Sequence, residues 1–260
     1  MLDKNFIDMV DFAIKQLEIK TGDKILDFGC GRGLFVDLLR RKGFCAFGCD
    51  LLWQDDYHNE YMNDYIKCYH DGNRIPFKND SFDAVFSYQV FEHVQKIEFY
   101  ISELNRILSR GGGIYIEFPA SYAFIDCHAG LPLLWIMQRV RNKLLKKWYS
   151  FLCIKFGYAT KSEMINAWKA SKTYLFYRSH KKVDNIFKEN GFIVKNITKE
   201  RRENRLLLDG IGTARELFRY KFFKEKGKST KIGITVKIYL CFHALFYRLF
   251  KNRVLLLTKQ

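Results

Sequence analysis

The sequence has little proline and no closely paired cysteines. Only three of its 260 residues are proline, and its seven cysteines are scattered without a Cys-x-x-Cys pair. This spacing speaks against a disulfide framework and against a zinc site, so we expect reduced thiols and no metal. Residues 1–4 include two charges and no apolar run of the signal-peptide kind, which predicts a cytoplasmic protein.

Negative charge is scarce in the second half of the chain. Residues 1–120 hold 14 Lys and Arg against 19 Asp and Glu, a net charge of −5, whereas residues 121–260 hold 30 against 9, a net charge of +21. Because the positive excess is confined to one half, it indicates a surface that faces an anionic partner, either phospholipid or nucleic acid.

A glycine-rich stretch at residues 25–33 carries the most specific signal. It reads Ile-Leu-Asp-Phe-Gly-Cys-Gly-Arg-Gly, and a helix-like run follows at residues 34–41. This order predicts a buried strand, a tight turn and a helix N-terminus at which a ligand approaches the backbone. A dinucleotide fingerprint needs its third glycine one residue later, where Leu34 stands. Asp27 would repel phosphate but favour a cation or an amino group, so a pyrophosphate ligand is disfavoured.

At these residues the chain resembles the class I S-adenosylmethionine-dependent methyltransferases. Their first motif has the form acid-x-Gly-x-Gly-x-Gly, which Asp27, Gly29, Gly31 and Gly33 match. The resemblance implies S-adenosylmethionine as the cofactor, a molecule without phosphate, with the loop wrapped around its methionine moiety. Cys30, inside the loop, is then a further cofactor contact.

Two later acids are candidates for binding the nucleoside part of that cofactor. Asp50 ends a predicted strand at residues 45–50. Its carboxylate could accept hydrogen bonds from both ribose hydroxyls, although a helix cap or a solvated loop acid would give the same pattern. In the resembling family an acid after strand three binds the adenine amino group, which here implies Asp71, with Gly72 and Asn73 on the same edge.

A third match follows the predicted fourth strand, residues 81–88. Residues 89–94 read Gln-Val-Phe-Glu-His-Val, which is similar to the Glu-His-Val signature of one large methyltransferase subfamily. With Leu51, after strand two, Gln89 completes the predicted cofactor contacts.

Strand-like and helix-like patterns alternate along the first 120 residues, and they resume near residue 181. The predicted helices are 4–18, 34–41, 97–108 and 181–190, and the later predicted strands are 66–72, 114–119, 192–198 and 254–259. The alternation predicts a doubly wound, Rossmann-like α/β fold with a seven-stranded, mostly parallel sheet and helices on both faces. We expect one methyltransferase domain with a cofactor-binding half (1–120), a helical insertion (121–180) and a C-terminal half (181–260).

Two basic insertions interrupt this pattern. The first contains a predicted amphipathic helix whose apolar stripe is Leu133, Met137, Val140, Leu144, Trp148 and Phe151. The second, residues 201–252, includes an apolar segment at 232–250, where Lys237 and Arg248 argue against a membrane span. Two interpretations stay open: the insertions fold over the sheet and exclude water, or they rest on an anionic membrane surface.

The chemistry points to an oxygen acceptor, because no Asn-Pro-Pro-Tyr segment of the amino-methylating kind follows strand four and no paired catalytic cysteines are present. His93 is the predicted general base, with helix capping or pocket lining as the alternative role. His128 is a second catalytic candidate, in a loop similar to those of methyltransferases of bacterial surface-sugar pathways. Glu92, Tyr122 and Asp126 are predicted to contact the acceptor.

Three functions stay open from the sequence. We favour O-methylation of a saccharide or a lipid-linked small molecule at the cytoplasmic membrane face. An RNA methyltransferase would use the basic half for phosphate contacts, but no separate RNA-binding module is visible, so nucleic acid is disfavoured as a partner. A non-catalytic scaffold that keeps the fold is disfavoured by the intact glycine loop.

Overall fold

The structure, a computed structural model, describes residues 4–51, 63–119, 131, 133–176, 178–209 and 252–260. The strands are β1 (Lys24–Phe28), β2 (Cys45–Leu51), β3 (Ile66–Tyr69), β4 (Phe82–Tyr88), β5 (Leu108–Pro119), β6 (Phe192–Asn196) and β7 (Asn252–Lys259). The helices are α1 (Lys4–Gln16), α2 (Leu34–Arg41), α3 (Ile97–Ile107), α4 (Leu134–Arg139), α5 (Lys143–Lys155), α6 (Lys161–Thr173), α7 (His180–Glu189) and α8 (Thr198–Asp209).

The chain divides into two compact units. The sheet unit consists of Met1–Phe118, Lys172–Ile197 and Val254–Gln260, and the helical unit of Pro119–Ser171 and Thr198–Arg253. The expected division of the chain at residues 120 and 180 stays a prediction.

All seven strands form one sheet in the order β3-β2-β1-β4-β5-β7-β6. The pairs β1/β2, β1/β4, β2/β3 and β4/β5 are parallel, and β6/β7 is antiparallel. This order is that of a doubly wound sheet, in which ligands bind beyond the carboxyl ends of the strands. The predicted seven-stranded, mostly parallel α/β fold is confirmed.

The central strands are buried on both faces, so consecutive residues join different hydrophobic clusters. Leu26 and Val85 pack in a cluster with side chains of α3 and α7, whereas Ile25 and Phe86 pack in a cluster with side chains of α1 and α2. Because side chains alternate along a strand, these clusters cover opposite faces of the sheet. Helices on both faces then fix the carboxyl ends of β1, β2 and β4, where the candidate site lies.

The fifth strand begins earlier than predicted. Its bounds are Leu108–Pro119, and not residues 114–119. The pairing with β4 jumps from Phe82↔Leu108 to Ala84↔Gly113, which leaves a bulge between them. A Cβ on Gly112 would lie 2.9 Å from the backbone oxygen of Asp83. Glycine at this position therefore allows a close backbone contact inside the strand.

The predicted amphipathic helix starting at Leu133 is wrong as a single helix. Leu133 has φ 55° and lies before α4, and the chain is extended at Val140, between α4 and α5. Asn142 then caps α5, since its side chain accepts hydrogen bonds from the backbone N–H groups of Leu144 and Leu145 at 2.8 and 3.2 Å. A side-chain cap of this kind starts a new helix.

Most of the second predicted insertion, including the apolar segment at 232–250, lies outside the described residues. Across the part of the chain that the structure does describe, no helix is both long enough and apolar enough to cross a membrane.

Candidate active site

The glycine loop connects β1 to α2 at the carboxyl end of the sheet. Gly29, Gly31 and Gly33 all have positive φ, at 81°, 50° and 73°. A Cβ on Gly29 would overlap the side chain of Val90, whereas a Cβ on Gly31 would meet nothing within 4 Å. The loop is therefore closed where it meets the segment after β4, and it leaves open space beside Gly31 in which a ligand could contact the backbone.

The end of β2 is hydrogen-bonded to this loop. The Cys49 carbonyl accepts from the N–H groups of Gly29 and Cys30 at 2.8 and 3.1 Å. The Asp50 carboxylate accepts from the Gly31 N–H at 2.6 Å and from the Leu51 N–H at 2.7 Å. The structure thus brings Asp50 and Gly31 together.

Asp27 is a buried acid next to the same loop. Only 6% of it is exposed. Burial, and then the nearby charge of Asp50, raise the pKa of Asp27 from 3.8 to about 8. A cation bound beside these two carboxylates would favour the ionised form of Asp27, so the site suits a positively charged ligand and disfavours phosphate.

The predicted adenine edge follows β3. The Asp71 carboxylate accepts a hydrogen bond from the Tyr100 hydroxyl at 2.8 Å, and that hydroxyl accepts one from the Gly72 N–H at 2.9 Å. Lys96 Nζ lies 3.8 Å from the other carboxylate oxygen. Asn73, the third residue predicted here, is exposed. Tyr100 orients Asp71 by this hydrogen bond. The Asp71 side chain is still 46% exposed, which leaves its carboxylate accessible to a ligand.

Gln89, the first residue after β4, has a strained backbone and a buried amide. Its φ is 57°, an unusual value for a residue with a side chain. Its N–H donates to the Glu117 carbonyl at 2.8 Å, which holds this conformation. Within the described ranges, Gln89 Nε2 and Ser87 Oγ are buried without a hydrogen-bond partner. Buried polar groups of this kind at a strand end are typical of a ligand site.

His93 lies in the turn after β4, with its ring orientation set by backbone. Nδ1 is 2.7 Å from the Tyr174 carbonyl oxygen. A carbonyl can only accept, so Nδ1 carries the proton, and in the neutral ring Nε2 has the lone pair. Glu92, whose side chain is 1% exposed, places Oε1 3.8 Å from that Nε2. His93 could therefore act as a general base, with the Glu92 carboxyl group beside it.

Tyr174 and Arg178 complete this arrangement, and neither was predicted. The Arg178 guanidinium donates to the carbonyls of Phe91, Val94 and Gln95 at 3.4, 2.5 and 3.0 Å. Burial lowers the pKa of Arg178 from its ordinary value. In addition, the Phe176 N–H donates to the Glu92 carbonyl at 2.7 Å. Residues 174, 176 and 178 thus hold residues 91–95 on both sides of His93, and these two sets of residues are called the His93 clamp.

Three acceptor-side predictions, Tyr122, Asp126 and His128, lie outside the described residues. The other predicted site residues lie at the carboxyl ends of β1 to β4. Open space beside a glycine, two carboxylates and an unpartnered buried amide together fit a compact, positively charged cofactor without phosphate.

Comparison with known proteins agrees with this chemistry. A family model described as a methyltransferase domain matches residues 4–195. An uncharacterised protein of Methanocaldococcus jannaschii is 28% identical over 189 residues, which are 73% of this chain and 69% of that protein. A ubiquinone biosynthesis O-methyltransferase of Pelagibacter ubique is 28% identical over 47% of this chain, and the alignment spans 57% of that enzyme.

Solved structures show the same fold. An S-adenosylmethionine-dependent methyltransferase from Mesorhizobium loti aligns with a TM-score of 0.52 at 13% identity, covering 96% of this chain and 98% of that one. The family match extends over most of this chain and includes the glycine loop and the turn that carries His93. The chain therefore belongs to this methyltransferase family, and S-adenosylmethionine is its cofactor.

Proposed function

We propose that the protein methylates a hydroxyl oxygen of a saccharide or a lipid-linked small molecule at the cytoplasmic membrane face. The observation that carries the proposal is the 2.7 Å contact between Nδ1 of His93 and the Tyr174 carbonyl oxygen, from which the tautomer follows. A hydroxyl acceptor must lose its proton, and a ring held with its proton on Nδ1 presents Nε2 to take that proton. The Pelagibacter ubique relative, named as an O-methyltransferase, supports oxygen as the acceptor.

The cofactor contacts follow from the position of each residue around the loop. When bound, S-adenosylmethionine supplies an electrophilic methyl group. The loop residues would hold its methionine part, the end of β2 its ribose, and the turn after β3 its adenine. We assign these contacts, in that order, to Asp27, Gly29, Cys30, Gly31 and Gly33; to Asp50 and Leu51; and to Asp71, Gly72 and Asn73. Gln89 would contact the cofactor from the turn directly after β4.

His93 and Glu92 would act on the acceptor. The hydroxyl proton moves to Nε2 of His93, which becomes an imidazolium. The Glu92 carboxylate, 3.8 Å from Nε2, stabilises that positive charge in a buried setting where Coulomb attraction is strong. The acceptor oxygen is then the nucleophile, and the clamp keeps the ring from turning away. His128, Tyr122 and Asp126 stay predicted acceptor-side residues.

A labelling experiment tests the proposal. The protein is incubated with S-adenosylmethionine labelled in its methyl group and with three separate fractions: lipid-linked saccharides, free saccharides and total RNA. We expect alkali-stable label in a saccharide or lipid fraction, lost in His93→Gln while cofactor affinity is retained. Label in RNA alone, or equal transfer by His93→Gln, would overturn the proposal.

A further inference from the structure

Helix α5 of the helical unit presents its largest apolar side chains to the outside. Leu144, Trp148 and Phe151 are 74%, 61% and 57% exposed, and Leu145 is 47% exposed. We call these four residues the α5 face. They are not scattered, because at 100° per residue they fall within an arc of roughly 120° on the helix.

The opposite side of α5 is already packed. Cys153 is 2% exposed and belongs to the hydrophobic cluster of the helical unit, with Tyr149 packed against it. The Trp168 indole N–H donates to Ser150 Oγ at 3.0 Å and ties α6 to this side of α5. The apolar face is therefore not the one with which the helix joins its own unit, and its orientation is fixed by these contacts.

The charged residues of α5 and of the chain on either side of it, residues 133–162, are all of one sign. Residues 133–162 contain seven Lys and Arg and neither Asp nor Glu. Lys143 and Lys147 are exposed along one edge of the face, and Lys155 is exposed at the end of the helix. A second copy of the chain docked here would bring like charges together, which disfavours self-association. An anionic partner is favoured by the same charges.

The side chains distinguish between anionic partners. Single-stranded RNA gains from aromatic rings on which bases stack, but branched aliphatic side chains such as Leu144 and Leu145 give it no such platform. A phospholipid surface takes both kinds of side chain, with Trp at the level of the headgroups and lysines reaching the phosphates. The combination of two leucines, two aromatic rings and flanking lysines therefore matches a lipid surface better than RNA.

We propose that the α5 face docks on an anionic phospholipid surface, with Leu144, Trp148 and Phe151 in the interfacial layer and Lys143, Lys147 and Lys155 at the headgroups. The proposal deepens the proposed function, since it names the surface through which the enzyme would meet a lipid-linked acceptor. Docking itself needs no methyl transfer, so it can be tested independently of the reaction.

The test is co-sedimentation of the full chain with vesicles of phosphatidylglycerol and phosphatidylcholine, or of phosphatidylcholine alone. The combined variant Leu144→Ser, Trp148→Ser, Phe151→Ser should bind the anionic vesicles more than about tenfold more weakly than wild type, because each lost side chain removes apolar burial. The matched control is Ile165→Ser with Ile193→Ser, two isoleucines that are 60% and 55% exposed on α6 and β6. It should bind like wild type.

Two further variants test the contribution of the lysines and guard against misfolding of the triple serine variant. Changing Lys143, Lys147 and Lys155 to Gln should flatten the salt dependence of binding. Trp148→Phe keeps a ring, so it should bind like wild type but lose the blue shift of tryptophan emission that vesicles produce. Because this variant is conservative, the shift tests the docking even if the triple serine variant fails to fold.

Four outcomes would overturn the proposal: unchanged binding by the triple serine variant, equal binding to neutral vesicles, RNA that displaces the protein from vesicles through the same face, or a dimer that the triple variant dissociates. Normal vesicle binding by a protein that transfers no methyl group to any lipid or saccharide would refute the proposed function and leave the docking intact.

Discussion

The proposed cofactor side and the proposed acceptor side of the site are built in different ways. On the cofactor side, Asp50 and Gly31 are hydrogen-bonded across 19 residues of chain, and the loop lies between adjacent parallel strands. On the acceptor side, His93 contacts Tyr174 across 81 residues and Arg178 contacts Phe91 across 87. The first side is formed by residues close together in sequence. The second side depends on residues 174 and 178, which are distant in sequence and whose contacts with residues 91 and 93 involve backbone carbonyl groups.

This difference predicts that the two sides can be damaged separately. Changes in the loop should remove cofactor binding, while changes in the His93 clamp should lower turnover and leave cofactor affinity in place. Four variants test that separation, in order of decreasing effect.

Gly31→Arg should abolish detectable cofactor binding. The open space beside Gly31 would be filled by the new side chain, and positive φ at that residue adds strain. Gly31→Ala is the matched control, since its Cβ meets no protein atom within 4 Å. The control carries only backbone strain of about 1–2 kcal/mol. Calorimetric titration measures both variants, and near-normal affinity in Gly31→Arg would mean that the cofactor site is misassigned.

His93→Gln should lower turnover about 100-fold or more, because the proton acceptor is removed. Cofactor affinity should stay within about twofold, since the His93 ring lies against Tyr174 and Glu92. Single-turnover kinetics and titration give the two quantities. If His93→Gln lost cofactor affinity as well as turnover, the two sides could not be damaged separately.

Arg178→Met should lower turnover about tenfold by loosening the turn that carries His93. The guanidinium donates to carbonyls on both segments of the His93 clamp, and Met replaces none of those hydrogen bonds. Lys182→Met is the control, because the Lys182 side chain is 59% exposed and its Nζ lies 3.7 Å from Oε1 of Glu98, a long and exposed ion pair. If the two variants show equal turnover, Arg178 has no positioning role.

The smallest effect concerns Asp27 and pH. Folding raises its pKa from 3.8 to about 8, so the stability that its neutral form provides is fully present below pH 3.8 and is lost as the pH rises toward 8. The cofactor-free protein should therefore lose unfolding free energy as the pH rises across this window. Asp27→Asn should flatten that slope in urea unfolding. Cofactor affinity of wild type should rise over the same range, because ionised Asp27 favours a cation. A slope shared by wild type and variant would contradict the assignment.

Local patterns predicted the helix and strand bounds next to the glycine loop well. The bounds of α2 (Leu34–Arg41) match the prediction, and β2 (Cys45–Leu51) differs by one residue. Apolar periodicity and glycine positions determine these elements within a few residues, so no distant information is needed.

The acceptor side could not be predicted in the same way. Tyr174 contributes a backbone carbonyl, which every residue has, and Arg178 binds carbonyls that lie more than 80 residues away. Neither contact leaves a local pattern in the sequence. The break between α4 and α5 is different, because Asn142 before a helix-forming run is a readable N-cap. The apolar spacing across residues 133–151 masked that signal.

The most direct test of the account is the tautomer of His93 in the wild-type protein. Two-bond proton–nitrogen correlation on histidine-labelled protein, assigned by comparison with His93→Gln, reads which ring nitrogen carries the proton at a pH where the ring is neutral. We expect a proton on Nδ1 and a lone pair on Nε2. A proton on Nε2 would contradict it, because that nitrogen could then take no proton from an acceptor hydroxyl.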